Sequence, residues 1–173
     1  MTFSIIAAVD KNMGIGLKNA LPWRLKGDMD HFKQITVNTA SGKQNAVIMG
    51  SNTWASLPEK FRPLPERLNL VLSFQPLDLP AGVLFGSSLD NALEQLSSRS
   101  DINEIFVIGG ARVYAEAINH PACVKIYLTE IDKVFECDTF FSKLPDKFKL
   151  VESSALVKEG DISYLFNRYD LIN

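Results

Sequence analysis

Residues 3–36 read FSIIAAVDKNMGIGLKNALPWRLKGDMDHFKQIT, and three signals succeed one another in them. Phe3 to Val9 is a short continuous apolar run, the pattern of a buried strand. Asp10 to Trp23 carries two glycines, two asparagines and a Pro. It describes a long loop with no structure of its own, of the kind that often serves as a lid. Leu25 to Thr36 is an amphipathic helix with Leu25, Phe32 and Ile35 on one stripe and Met29 beside it. Strand, loop and helix in that order open an α/β fold. Gly14-Ile15-Gly16 starts like a dinucleotide fingerprint. That fingerprint needs a third small residue three positions after the second glycine, and a helix opening directly. Asn19 stands there instead and the chain runs on into Leu21-Pro22-Trp23, so the Rossmann reading fails.

Asp28 is the anomaly in the helix. It lies three residues after Leu25 and four before Phe32, on the apolar stripe itself. Asp30 and Lys33 point elsewhere, towards water, and His31 falls on the polar side, where it is expected to be solvated. A carboxylate on an apolar face is costly unless something pairs with it. Either a cap or a buried Arg satisfies it, or it is kept there to hold a polar, proton-accepting ligand; structural ion pairs perturb acids too. Trp23, just upstream, suggests an aromatic group beside the acid.

Strand and helix signals alternate along the rest of the chain, without repeats. Asn38 to Asn45 is a polar surface loop. Ala46 to Met49 and Leu68 to Leu72 are buried strands, and Val83 to Phe85 and Ile105 to Ile108 two more. Gly50 opens a short helix that Ser51 can cap. Ser88 to Leu96 is a helix with Leu89, Ala92, Leu93 and Leu96 inward, and a second runs from about Ala111 to Ile118 after Gly109-Gly110. Val124 to Ile131 is a long strand. Phe148 to Ala155 and Ile162 to Tyr169 alternate as an antiparallel hairpin would. The expectation is a single α/β domain over residues 1–173: a mostly parallel central sheet, flanking helices and an antiparallel C-terminal edge hairpin.

The composition is that of an ordinary globular chain. Its 173 residues are 46% hydrophobic and 22% charged, enough for one core without staples. A net charge of -2 leaves no basic footprint for nucleic acid. No apolar run approaches the ~18 residues of a membrane span, and the N-terminal run is too short for a signal-peptide core. Cys123 and Cys137 lack metal or redox spacing, and His31 and His120 are too separated for a metal cluster, so no metal is expected. Two cysteines allow a disulfide, but free thiols in a reducing cytoplasm are the expected state.

Several stretches together resemble the dihydrofolate reductase family. They are Ile15-Gly16 through Leu21-Pro22-Trp23, Asp28 with Phe32, VIMGSNTW (47–54), Arg62-Pro63-Leu64 with RLNLVLS (67–73), VIGGARVY (107–114), YLTEID (127–132) and Asp138-Thr139. They keep the family's order and cover nearly the whole chain. The resemblance implies hydride transfer from NADPH to 7,8-dihydrofolate, giving tetrahydrofolate for one-carbon metabolism. It implies Asp28, Trp23, Leu21 and Thr129 at the catalytic centre, with the Thr129 hydroxyl bonding Asp28. For the substrate it implies Ile6, Ala8 and Met29 beside Asp28. Phe32, Leu57, Leu64 and Ile108 would line the pterin and benzoyl pocket, and Arg67 would take the α-carboxylate of the glutamate tail. Each of these has a plainer reading, as core packing, strand former or solvated charge.

For the cofactor the resemblance implies Ala8, Ile15 and Gly16 near the nicotinamide with Tyr114. Gly50, Ser51, Asn52 and Thr53 would take the diphosphate from one side. Ile108, Gly109, Gly110, Ala111, Arg112 and Val113 would take it from the other, with a cis peptide between Gly109 and Gly110. Leu72, Ser73, Phe74 and Ser87 would meet the adenosine end. Here the chain departs from its family, whose members read the 2'-phosphate with basic side chains. Ser51, Asn52, Phe74 and Ser87 hold those places and none is charged, so NADPH is expected with NADH tolerated. The resemblance also implies a cytoplasmic monomer without a fused thymidylate synthase, and an antifolate target. A same-fold pyrimidine reductase of riboflavin synthesis should not need the Asp28–Phe32 helix or the Arg67 turn. A non-enzymatic pterin- or nucleotide-binding module should have no use for an intact Asp28, Trp23 and Thr129.

Overall fold

The apolar runs become the strands of one sheet. The computed structural model describes residues 1–40 and 42–173. Ser41, within the expected Asn38–Asn45 loop, lies outside the described residues. In chain order the elements are β1 (Phe3–Val9), β2 (Gly14–Gly16), α1 (Lys26–Val37), β3 (Gln44–Gly50), α2 (Ser51–Ser56), β4 (Arg67–Leu72), β5 (Leu84–Gly86), α3 (Leu89–Ser97), β6 (Ile102–Val107), α4 (Ala111–Ala117), β7 (Cys123–Ile131), β8 (Thr139–Phe140), β9 (Phe148–Ser153), β10 (Val157–Glu159) and β11 (Ile162–Leu171).

The main sheet runs β10-β11-β7-β1-β6-β3-β4-β5, with β9 also paired to β11. From β7 to β5 every neighbour is parallel; β11 is antiparallel to β7, and β9 and β10 are antiparallel to β11. This is the expected mixed sheet with an antiparallel edge. It needs helices on both faces, since parallel strands are buried on both. One face packs the inward residues of α3 and α4 against Phe3, Ile5, Ala46, Ile48 and Leu70. The other packs Phe32 and Ile35 of α1 and Trp54 of α2 against Ile6, Val47, Met49, Val71 and Phe106. Odd residues of β1 therefore face α4 and even ones face α1, as the two-residue period of a strand requires.

The structure differs from the sequence expectations in five places. The expected Asn38–Asn45 surface loop is cut short: Gln44 and Asn45 begin β3, and Asn45 is buried. The loop after β1 is not bare: Gly14–Gly16 forms β2 and pairs antiparallel with β8, more than a hundred residues on. Val157–Glu159 is a strand where only a turn was expected. Ser51 does not cap α2; Gly50 takes the N-cap position and no side chain bonds there. His31 is half-buried rather than freely solvated, because β11 brings Phe166 over it and the two rings stack 3.8 Å apart. Ser88 does cap α3, its hydroxyl accepting from the Asn91 N–H at 3.0 Å.

Asp10 ties the β1–β2 turn to the segment leading into β8. One carboxylate oxygen accepts from the N–H groups of Asn12 and Gly14, both at 2.8 Å, and the other from that of Phe135 at 2.9 Å. A Cβ at Gly14 would stand 2.4 Å from Cys137 Sγ, and one at Gly16 2.6 Å from Thr139 Oγ1. The two segments therefore approach too closely for any side chain there. Asp10→Ala removes a buried acceptor from three donors and should destabilise the fold by about 1–3 kcal/mol, read as a lower urea midpoint. An unchanged midpoint would mean that β2 and β8 hold the segments together without it.

Candidate active site

Ligands in sheets of this kind bind outside the carboxyl ends of the parallel strands, where the strand order switches. Here β1 leads to α1 and β3 on one side, while β6 inserts between β1 and β3 and leads to α4 on the opposite face. By that rule the site is placed between α1, the ends of β1, β6 and β7, and the turns into α2 and α4.

Asp28 sits in the first turn of α1, half-buried. The Thr129 hydroxyl of β7 donates to it at 2.7 Å. Thr129 pairs in register with Ala8 of β1, so the two central strands set the distance between acid and sheet. Burial pushes the Asp28 carboxyl above the usual carboxylate range. The Thr129 hydrogen bond opposes that shift, and the charge of Glu159 adds to it. Trp23 is buried with Leu25, Ile131 and Tyr164, its ring 5.3 Å from Phe135. Its indole N–H is buried with no partner among the described residues.

Five of the expected substrate residues share one apolar cluster: Ile6, Phe32, Leu57, Leu64 and Ile108. Ala8 packs in the neighbouring cluster around Trp23. Leu21 and Met29 stand outside both, 59% and 55% exposed. Arg67 begins β4 and is buried, 8% exposed. Its Nε donates to the Pro65 carbonyl at 2.8 Å and its Nη1 to the Thr36 hydroxyl at 3.0 Å. Burial lowers its pKa, and among the described residues no carboxylate forms an ion pair with it. Thr36 is eight residues along α1 from Asp28, so the acid and the guanidinium bracket ~12 Å of helix. Thr36, 0% exposed, is a contact that reading the sequence missed.

The expected cofactor residues gather at the other strand ends. Gly50 ends β3 and Ser51, Asn52 and Thr53 follow it; Leu72 ends β4 and Ser73 and Phe74 follow it; Ser87 follows β5; and Ile108 to Tyr114 follow β6. The Gly50 N–H donates to the Gly109 carbonyl at 2.9 Å, and the Gly109–Gly110 peptide is cis. A Cβ on Gly110 would lie 3.2 Å from Thr53 Oγ1, and one on Gly50 3.2 Å from Val113 Cγ2. These turns are cradles of backbone that a side chain would fill. The Tyr114 hydroxyl donates to the Ile6 carbonyl at 2.7 Å. Arg112 holds its guanidinium 4.4 Å from the centre of the Phe74 ring, 80% exposed. Ile15 and Gly16 lie in β2, and the Asn19 amide reaches across to the Asn52 carbonyl at 3.1 Å. No cluster of potential metal ligands occurs among the described residues.

The family model described as "Dihydrofolate reductase" matches residues 2–171. The chain is 44% identical to a dihydrofolate reductase of Heliothis virescens, across 96% of this chain and 95% of that one. It is 41% identical to the dihydrofolate reductase of Sus scrofa, across 97% of each chain. A bifunctional dihydrofolate reductase-thymidylate synthase of Daucus carota is 42% identical across 97% of this chain, which spans 33% of that longer protein. Sheet, site and near full-length likeness agree that the chain belongs to the dihydrofolate reductase family.

Proposed function

We propose that this chain reduces 7,8-dihydrofolate to 5,6,7,8-tetrahydrofolate with NADPH, as a monomer of one domain in the cytoplasm. No helix among the described residues is long and apolar enough to cross a membrane. The observation that carries the reading is the pair of groups along α1: a carboxylate bonded to Thr129 near its start, and near its end a buried guanidinium that no carboxylate pairs with among the described residues. A pterin with a glutamate tail needs an acceptor for its amino group and ring N–H, an apolar wall, and a cation for its carboxylate. The family match over residues 2–171 sets aside the same-fold pyrimidine reductase. Loss of NADPH absorbance on adding dihydrofolate tests the activity. No loss would leave a binding module.

When bound, NADPH supplies the hydride; the backbone cradles at Gly50 and Gly109-Gly110 fit its diphosphate. Asp28 accepts hydrogen bonds from the 2-amino group and N3 of the pterin, orients the ring and favours its protonated state. An acid bonded at N3 cannot also reach N5, so the proton arrives there through water. Phe32, Leu57 and Leu64 wall the rings, and Arg67 grips the α-carboxylate. The segment from Asn12 to Trp23 covers the reacting centre and keeps bulk water out; Trp23 is its buried residue, and Leu21 stands exposed at its edge.

Asp28→Asn keeps the shape and loses the charge, and should lower the hydride-transfer rate roughly 100- to 1,000-fold at neutral pH, with partial recovery in acid. The same variant reports on stability. The folded chain raises the Asp28 pKa, so it holds that proton more tightly than the unfolded chain does. The contribution to stability is present at low pH and lost as the pH rises through the raised value. Asp28→Asn should thus be more stable than the parent at neutral pH, with the gap closing in acid. A neutral-pH rate equal to the parent's would remove Asp28 from the mechanism.

Arg67→Leu should weaken dihydrofolate and antifolates with a glutamate tail roughly 10- to 100-fold, and barely change diaminopyrimidine inhibitors, which lack the tail. Equal losses in titrations of both classes would show that the change acts through folding.

The third expectation concerns the adenosine end. In the turns after β3, β4, β5 and β6, Arg112 is the cation among the described residues, and it already stacks on Phe74. Neutral hydrogen bonds contribute about 1 kcal/mol against about 1.5–3 for charged ones. Preference for NADPH over NADH should therefore be smaller than in relatives with basic residues there, by roughly one to two decades in kcat/KM. Ser51→Arg should restore it, mainly through a lower KM for NADPH at low salt. Sharp discrimination by the unmodified chain would overturn this.

A further inference from the structure

Helix α1, which carries Asp28, has no cap of its own. Leu25 holds the N-cap position and offers no side-chain acceptor. The first free N–H groups of the helix are met from the far end of the chain. Glu159, the last residue of β10, accepts from the Lys26 N–H at 2.7 Å through one oxygen and from the Gly27 N–H at 3.0 Å through the other. The Tyr164 hydroxyl of β11 donates to that second oxygen at 2.9 Å. Tyr164 is 0% exposed and packs with Trp23, Leu25 and Ile131, so the hydroxyl has a fixed place. A Cβ at Gly27 would lie 2.2 Å from it. The helix thus starts against a surface made by β10 and β11, and only glycine fits at its second residue. The next residue is Asp28.

We propose that Glu159 is a positioning residue of the reductase: from the β10–β11 hairpin its carboxylate clamps the first turn of α1 through Lys26 and Gly27, and with Tyr164 it sets both the place and the electrostatic surroundings of the Asp28 carboxylate. The clamp rests on the reductase reading only for its consequence in turnover. A carboxylate at a helix N-terminus is favoured by the exposed N–H groups and by the helix dipole. A second one nearby resists ionisation, as like charges do. The N–H groups of Gly27 and Lys26 and the Tyr164 hydroxyl hold the Glu159 carboxyl below its usual range, so it is anionic where Asp28 titrates. Its charge then pushes Asp28 up, after burial.

The other groups facing Asp28 do not duplicate this. From β7, the Thr129 hydroxyl works the opposite way. From α4 and β11, Tyr114 and Tyr164 are neutral phenols pushed up by burial and, in part, by Asp28 itself. On α1, Asp30 is paired with Lys26 at 2.6 Å, and His31 is stacked on Phe166 with its pKa lowered by burial. The Trp23 indole carries no charge. Among the described residues, Glu159 is the carboxylate from outside α1 whose charge raises Asp28.

The test follows the Asp28 carboxyl carbon by 13C NMR across pH in the ligand-free protein, beside kcat/KM for dihydrofolate. Glu159→Gln keeps size and an acceptor oxygen but not the charge, and should move the Asp28 midpoint to lower pH. Asp161→Asn, an exposed acid in the same hairpin at 3.5 Å from Lys133, should leave it in place. Glu159→Ala should lower kcat/KM roughly tenfold, as displacement of a catalytic group does, and Glu159→Gln should recover part of that loss. An unmoved midpoint in Glu159→Gln, an equal shift in Asp161→Asn, or an undiminished kcat/KM in folded Glu159→Ala overturns the proposal. Should the alanine variant not fold, the glutamine titration decides alone. A parent protein that ignores dihydrofolate would sink the reductase reading and leave the titration to judge the clamp.

Discussion

A carboxylate bonded to a threonine hydroxyl between a helix and a sheet is the constraint to which the rest of this structure answers. Asp28 gains one hydrogen bond, at 2.7 Å, and is half-buried. Burial alone would favour a neutral acid, and one hydroxyl does not offset it. The other oxygen of that carboxylate has no hydrogen-bond partner among the described residues. A site of this type is a local loss of stability kept for function, and the surrounding elements have to hold the acid where its own preferences would not.

The holding is distributed over both ends of α1. At its start stand Glu159 and Tyr164. Near its end the Thr36 hydroxyl accepts from Arg67 Nη1, so the same helix fixes the distance from acid to guanidinium. On the sheet side, Thr129 is placed by parallel pairing of β7 with β1, where Ala8 is its partner. Asn69 does the same for the segment leading to Arg67: its side chain accepts from the Leu64 N–H at 2.8 Å and donates to the Leu64 carbonyl at 3.0 Å. Leu64 is thereby set against the wall that Phe32 and Leu57 share.

Much of this could be read from the residues because local pattern and global role agree. The runs of Phe3–Val9, Ala46–Met49 and Leu68–Leu72 are apolar because parallel strands are covered on both faces. Leu89, Ala92, Leu93 and Leu96 were expected inward and all four are buried. Asp28 stood out because it broke the pattern of its own helix. What escaped notice depends on pairing across long separations. Gly14 and Phe140 meet in register, yet neither segment carries a strand signal by itself. Glu159 precedes Gly160 and looked like part of a turn; only the hairpin's docking on β7 turns it towards α1. His31 was assigned to water from the helix alone, because nothing local announces that β11 lays Phe166 over it. Gly27 was the available clue to the clamp, since a glycine inside a first helical turn needs a reason.

The reach of Glu159 back to Lys26 also has a meaning for the order in which the molecule assembles. The cap and the helix it closes are separated by 132 intervening residues. Closing so long a loop is entropically costly and cannot precede the pairing of β7, β11 and β10. Until that hairpin docks, the first turn of α1 lacks its acceptor and frays, whatever the state of the strands on either side of it. The cap on the first turn of α1 therefore waits on the C-terminal hairpin. A chain still missing its last two strands would have most of its parallel sheet and no competent acid.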